Sequence, residues 1–131
     1  MSIFEAIGIA GTGVTVNRKW MDAVSDNLAN INTASRTADP AFRERFVVAS
    51  EAADGKGTQV AGIVYGGTEG RTVYDPSHPL ADADGNVKYP DIDMSTQMTN
   101  LMMAQRAYQS NLSVVSSAKE AYQAAIQLGK N

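Results

Sequence analysis

Cysteine is absent from this 131-residue chain, which removes disulfides, thiolate metal sites and a cysteine nucleophile together. Histidine occurs once, at position 78. A zinc site would therefore need mostly carboxylates, an unusual donor set. Ser77 adjoins His78 and gives no support to a nucleophile and base meeting across a cleft. Asp82, Asp84 and Gly85 faintly suggest a calcium loop, but Leu80 and Asp91 stand where such a loop needs its outer ligands. Gly8, Gly11 and Gly13 run in the reverse order to a dinucleotide fingerprint, and no strand precedes them. Catalysis is not expected, nor is any cofactor or metal. Positive charge is also short: 11 basic residues face 14 acidic ones, a net charge of −3. Nucleic acid and anionic membrane surfaces call for clustered positive charge, so neither is an expected partner. No apolar run approaches the roughly 18 residues of a membrane span. The start, Met1-Ser2-Ile3-Phe4-Glu5, lacks the basic end of a signal peptide.

What is present falls into three zones. Residues 1–33 hold five charges and residues 94–131 hold four, while the 60 residues between them hold the other 16. In the first zone Ile7, Val14, Met21 and Leu28 form one heptad row, and Ile3, Ala10, Val24 and Ile31 form a companion, interrupted only at Asn17. Two such rows lie side by side on one helix face and make a coiled-coil seam. Gly8, Gly11 and Gly13 would fray the start of a free helix, each costing about 0.5–1 kcal/mol relative to Ala. They could instead serve as a hinge. In the last zone Met94, Leu101, Tyr108, Val115 and Tyr122 form one row, and Met98, Leu112 and Ile126 the other, broken at Gln105 and Lys119. Ala104, Asn111, Ala118 and Ala125 run beside them, small enough for another backbone to come close. Asp93 is placed to cap this helix and Gly129 to end it.

The middle zone has strand and turn chemistry. Phe46–Val48, Val60–Tyr65, Thr72–Tyr74 and Val87–Tyr89 read as short strands, and Asp54-Gly55, Gly66-Gly67 and Asp84-Gly85 as turns. The fold expected is α+β, with long terminal helices pairing as a coiled-coil stem and a small irregular β domain inserted between them. Residues 1–33 together with 94–131 would form the helical core domain, and 34–93 the β-rich outer domain. A helix from Met94 to Leu128 would be about 52 Å long, too long for a compact ball of this size, whose radius of gyration is about 14 Å. The helix flanks carry Asn, Gln, Ser, Thr and Ala rather than Glu and Lys. Such groups are far cheaper to desolvate than ions, which suits helices surrounded by other subunits.

Ser25-Asp26-Asn27-Leu28-Ala29-Asn30-Ile31-Asn32-Thr33 resembles the N-terminal signature of the bacterial flagellar rod and hook proteins, whose core is Asn27, Leu28, Ala29 and Asn30 here. Tyr74-Asp75-Pro76-Ser77-His78-Pro79-Leu80, then Gly85-Asn86-Val87-Lys88-Tyr89-Pro90, resembles the proximal rod members of that axial family. So does Ala104-Gln105-Arg106-Ala107-Tyr108-Gln109-Ser110-Asn111, and the likeness spans nearly the full chain. The resemblance implies a structural subunit of the flagellar basal body that polymerises through its terminal helices into a hollow, torque-transmitting shaft. It also implies a periplasmic rod location, export by the flagellar type III apparatus without a cleaved signal, and assembly with its own copies, other proximal rod proteins and the rod–ring junction. A sibling rod subunit, or a secreted coiled-coil binding module unrelated to flagella, are the alternatives. Asn27 and Asn30 share one side of the helix end, where their amides either reach a neighbouring subunit's backbone or cap their own helix. The seam residues either pack within the chain or bind another subunit. Tyr74, Pro76, His78, Pro79, Gly85 and Pro90 are expected to build a rigid outer corner.

Overall fold

The computed structural model describes residues 2–130. Helix α1 spans Ile3–Asn30. Its first turn is closed by a capping box: the Ser2 hydroxyl accepts the Glu5 backbone N–H at 3.1 Å, and the Glu5 carboxylate accepts the Ser2 N–H at 3.3 Å. Two of the donors that a helix start leaves unpaired are thereby satisfied. The helix runs continuously through all three glycines. Helix α2 spans Met94–Leu128, 35 residues or about 52 Å. Asp93 caps it by accepting the Thr96 N–H at 2.7 Å, and Gly129 closes it with a bond to the Ala125 carbonyl.

The two helices pair antiparallel. Asn27 meets Gln97 near one end, Gly13 meets Asn111 midway, and the rings of Phe4 and Tyr122 stand edge to face at 5.2 Å near the other. A methyl group on Gly13 would lie 2.8 Å from the Asn111 amide. At this glycine α2 lies close against α1, which gives it a packing role. Nothing lies within 4 Å of the position a side chain would take on Gly8 or Gly11.

Between the helices the chain forms two separate antiparallel sheets, each of two strands, which gives the α+β architecture expected. Strands β1 (Arg45–Glu51) and β2 (Thr58–Tyr65) make a hairpin, with Phe46 opposite Val64, Val47 opposite Ile63 and Val48 opposite Gly62. A register shift after Val48 marks a bulge. This hairpin packs along α1. Its base is tied to Asn27, and its tip lies beside Thr12, whose hydroxyl accepts the Thr58 N–H at 3.0 Å. Gly57, at φ +102°, sits against Thr12 so closely that a side chain there would collide with the hydroxyl. An isolated two-stranded hairpin is marginal in water, so the helix acts as its support. Strands β3 (Arg71–Tyr74) and β4 (Asn86–Tyr89) form the second hairpin. Residues 33–41 lie against it, with Ser35 and Lys88 exchanging backbone hydrogen bonds and the Thr37 hydroxyl donating to Asp82.

Candidate assembly surface and the polar junction behind it

The buried polar groups of the chain gather where α1 ends, β1 begins and α2 starts. Asn27, 1% exposed, treats the backbone of Arg45 as a strand would: its Oδ1 accepts the Arg45 N–H at 2.8 Å and its Nδ2 donates to the Arg45 carbonyl at 3.0 Å. The same Nδ2 donates to Oε1 of Gln97, also 1% exposed, at 3.0 Å. Gln97 in turn donates to the Glu44 carboxylate, and the Arg45 guanidinium pairs with Asp26. Every side-chain group left dry by this packing finds a partner: among the described residues, no buried side-chain nitrogen or oxygen is unpaired. Satisfied in this way, a buried polar network fixes one arrangement of three elements. Asn27 therefore bonds to the start of β1 and to α2 and not to its own helix end. Asn30 behaves differently. Its Nδ2 donates to the Asp26 carbonyl and its Oδ1 accepts from the Thr33 hydroxyl, both local bonds. Leu28 is half-buried and Ala29 faces solvent.

Of the predicted seam residues on α1, Val24 and Ile31 are buried, and Ile7, Val14, Met21 and Leu28 are half-buried. On α2 the structure departs from the expected intrachain seam. Leu101, Tyr108 and Val115 are half-buried, but Met94, Met98, Leu112, Tyr122 and Ile126 are exposed. The line facing α1 is instead Gln97, Ala104, Asn111 and Ala118, with Ala104 fully buried. The physical reason is the close approach at Gly13: only small or hydrogen-bonded side chains fit between backbones so near each other. The larger Met98–Leu112–Ile126 row is left outside. From Met94 to Ala118 the helix carries one charge, Arg106. Met94, Met98, Met102 and Met103 are each about half exposed, as are Phe46, Val64 and Tyr65 on the first hairpin.

The outer corner forms around Gly85, which is buried at φ +80°. A side chain there would press on the Tyr74 ring and Pro76. His78 accepts the Leu80 N–H through Nδ1 at 3.1 Å and lies edge-on to Tyr89. Pro90 is buried, while Tyr74, Pro76 and Pro79 are exposed. The loop is tightened by Asp82, whose carboxylate accepts the N–H groups of Asn86 and Asp84 and the Thr37 hydroxyl. The Asn86 amide, followed by the Thr37 hydroxyl, holds its pKa below the usual carboxylate range. Asp93 is lowered in the same way by the Thr96 hydroxyl and then the Thr96 amide.

Sequence reasoning missed Gln97, Glu44, Arg45 and the Thr12–Thr58 contact. Gln97 was within reach, because it stands seven residues before Ala104 in the small-residue row. The partners of Gln97 are Asn27 on α1 and Glu44 just before β1, and that of Thr12 is Thr58 on β2, all far apart in sequence, so no periodicity encodes their meeting. Among the described residues, no group of three or more His, Asp or Glu is arranged to hold a metal ion. Among the described residues, no helix is long and apolar enough to cross a membrane. What the surface offers chemically is desolvation: apolar and amide side chains that lose little when another protein covers them.

Comparison with known proteins gives a consistent picture. A family model described as "Flagellar basal body rod FlgEFG protein C-terminal" matches residues 83–128, which include all of α2. The chain is 32% identical to the flagellar basal-body rod protein FlgC of Salmonella typhimurium, covering 99% of this chain and 100% of that protein. It is 31% identical to FlgC of Borreliella burgdorferi over 98% of each chain. Identity to FlgC of Bacillus subtilis is 26%, over 99% of this chain and 100% of that protein.

Proposed function

Because this chain belongs to the FlgC family of flagellar basal-body rod proteins, we propose that it is a structural subunit of the basal-body rod that polymerises through its terminal helices. One observation carries the reading: a 35-residue helix whose outward row of Met98, Leu112 and Ile126 is apolar, almost uncharged and uncovered within the chain. In this reading residues 1–33 and 94–131 form the inner layer of a hollow shaft, and residues 34–93 form its outer, subunit-specific layer. The half-buried members, Leu101, Tyr108 and Val115, hold the subunit's own helices together. The exposed members, with Met94, meet neighbouring subunits, while Tyr122 packs edge-on to Phe4 of its own α1.

The neighbours would be other copies of the chain, other proximal rod proteins and the rod–ring junction protein. Delivery by the flagellar type III export apparatus would place the subunit in the periplasmic part of the basal body. Its work is mechanical, carrying torque from the membrane ring to the distal rod and hook. The polar junction serves this role by fixing where the outer layer departs from the helices.

Met98→Asp and Leu112→Asp separate folding from assembly, since both positions are exposed in the single chain. Each would place a carboxylate in a covered interface, costing several kcal/mol where no cation meets it. The expected result is a purified subunit with an unchanged urea midpoint, and cells that make no rod and do not swim. Normal swimming with either variant at wild-type abundance would overturn the assignment.

A further inference from the structure

The first turns of α1 are built from residues that favour a helix poorly. Gly8 and Gly11 lose more backbone freedom in a helix than other residues do. Neither is there to let a neighbour close in, since nothing lies within 4 Å of the place a side chain would take. The hydroxyls of Thr12 and Thr15 bond back to the carbonyls of Ile9 and Gly11, an arrangement that slightly destabilises a helix. Burial offsets little of this. Before Ala23, only Ala10 in α1 is buried, and the Phe4 and Tyr122 rings that meet at this end are 64% and 41% exposed. Yet the segment is helical from Ile3 onward.

The tip of the first hairpin supplies the missing support. Lys56 Nζ lies 2.9 Å from Oε1 of Glu5, whose Oε2 is the acceptor that closes the capping box. Two helical turns further, on the same face, the Thr12 hydroxyl accepts the Thr58 N–H at 3.0 Å. Its own proton goes to the Ile9 carbonyl at 2.7 Å, which leaves a lone pair turned to the strand. Gly57 makes this seat possible, because a side chain there would strike the hydroxyl. Between the two ties lies an open hollow bordered by Gly8, Ile9, Asp54 and Lys56. The hairpin therefore bridges the glycine-rich turns by two exposed polar contacts, while its base is held at the dry Asn27 junction. We propose that the tip of the β1–β2 hairpin is a releasable splint for the start of α1: it holds residues 3–13 helical, and the tip and these turns open and close as one unit while residues 24–31 stay fixed. Exposed ion pairs and hydrogen bonds are weak enough to release, and segments with few buried contacts open locally without global unfolding. Every contact lies within one chain, so the device does not depend on the rod assignment.

Lys56→Ala and Gly57→Ala loosen the tip without altering the sequence of α1. Residue-resolved hydrogen–deuterium exchange of the full purified chain then reads the coupling. In the double variant the amides of Thr58 and of residues 7–13 should exchange about tenfold faster than in the wild type, with residues 24–31 unchanged. Lys56→Ala alone, a change at an exposed side chain, should give the same pattern in smaller measure. Adding Gly8→Ala and Gly11→Ala should return residues 7–13 to wild-type rates and leave Thr58 fast, because alanine restores helix propensity without restoring the ties. A tip that loosens while residues 7–13 keep their rates would overturn the splint. So would an equal rise along all of α1 in Lys56→Ala, or an increase at residues 7–13 that the alanines do not reverse. A wild-type chain whose residues 7–13 already exchange as fast as in the double variant would overturn it as well.

Discussion

Asn27 and Asn30 are three residues apart in the same motif, yet their environments predict different costs. Replacing Asn27 with Ala leaves the Arg45 N–H and carbonyl and the Gln97 oxygen without their partner in a dry junction. Each buried group left unpaired costs about 1–3 kcal/mol, so Asn27→Ala should lower the urea midpoint of the purified subunit markedly. Asn30→Ala loses only local bonds at a helix end and should cost about 1 kcal/mol or less. Equal losses in the two variants would contradict the junction's role. Asp82 and Asp93 make a second prediction. A carboxylate with a lowered folded pKa stabilises the fold while it is ionised. Its contribution is complete above the unfolded aspartate value of about 3.9 and is lost as pH falls through the lower folded value. Stability attributable to these groups should therefore be level from pH 7 to 5 and decline below about 4. Asp82→Asn keeps an oxygen for the loop amides, and the decline measured by urea titration should be shallower.

At the scale of elements, helix ends were the most legible part of the chain. Asp93 and Gly129 cap α2 at the positions their chemistry suggested, because capping depends on residues adjacent in sequence. The strands, too, overlap their Val- and Tyr-rich runs, with bounds that differ by one or two residues except at the end of β1, which runs three residues further. Which face of α2 meets α1 was not legible. Apolarity marks every surface that is eventually dry, whether covered by the same chain or by another, and the larger Met and Leu side chains dominated the pattern. The deciding feature was the pairing of Gly13 with Asn111, a contact between residues 98 positions apart. The hairpin's perch on α1 was hidden for the same reason, since Thr12 and Gly57 carry no shared signal. Glycine substitutions separate the two kinds of position. Gly8→Ala has open space around it and should raise the stability of the isolated subunit by about 0.5–1 kcal/mol through helix propensity. Gly13→Ala must displace the Asn111 side chain from its bond to the Ala107 carbonyl, and should gain less or lose. Thermal denaturation followed by circular dichroism would compare them.

Across the whole molecule, burial is graded along the helix pair. Val24, Asn27, Ile31, Ile92, Gln97 and Ala104 are buried at the junction end, whereas every residue from Lys119 to Lys130 is exposed. Opening free energies follow buried contacts, so backbone amides of the purified subunit should exchange slowest around residues 24–31 and 97–104. They should exchange fastest beyond residue 118. Hydrogen–deuterium exchange would read this gradient, and strong protection at the end of α2 would mean that the free subunit already covers its own terminal helix. In the assembled rod the same segment should become protected.

The antiparallel pairing has a mechanical consequence. Phe4 and Tyr122 meet because the chain leaves and returns at one end of the pair, with the rest of the molecule hung beyond. Tension between the two termini would part the helices like a zipper, one turn at a time. Load pressed sideways across the pair meets many turns at once. A shaft built from such subunits would carry twist best through the flanks of its helices.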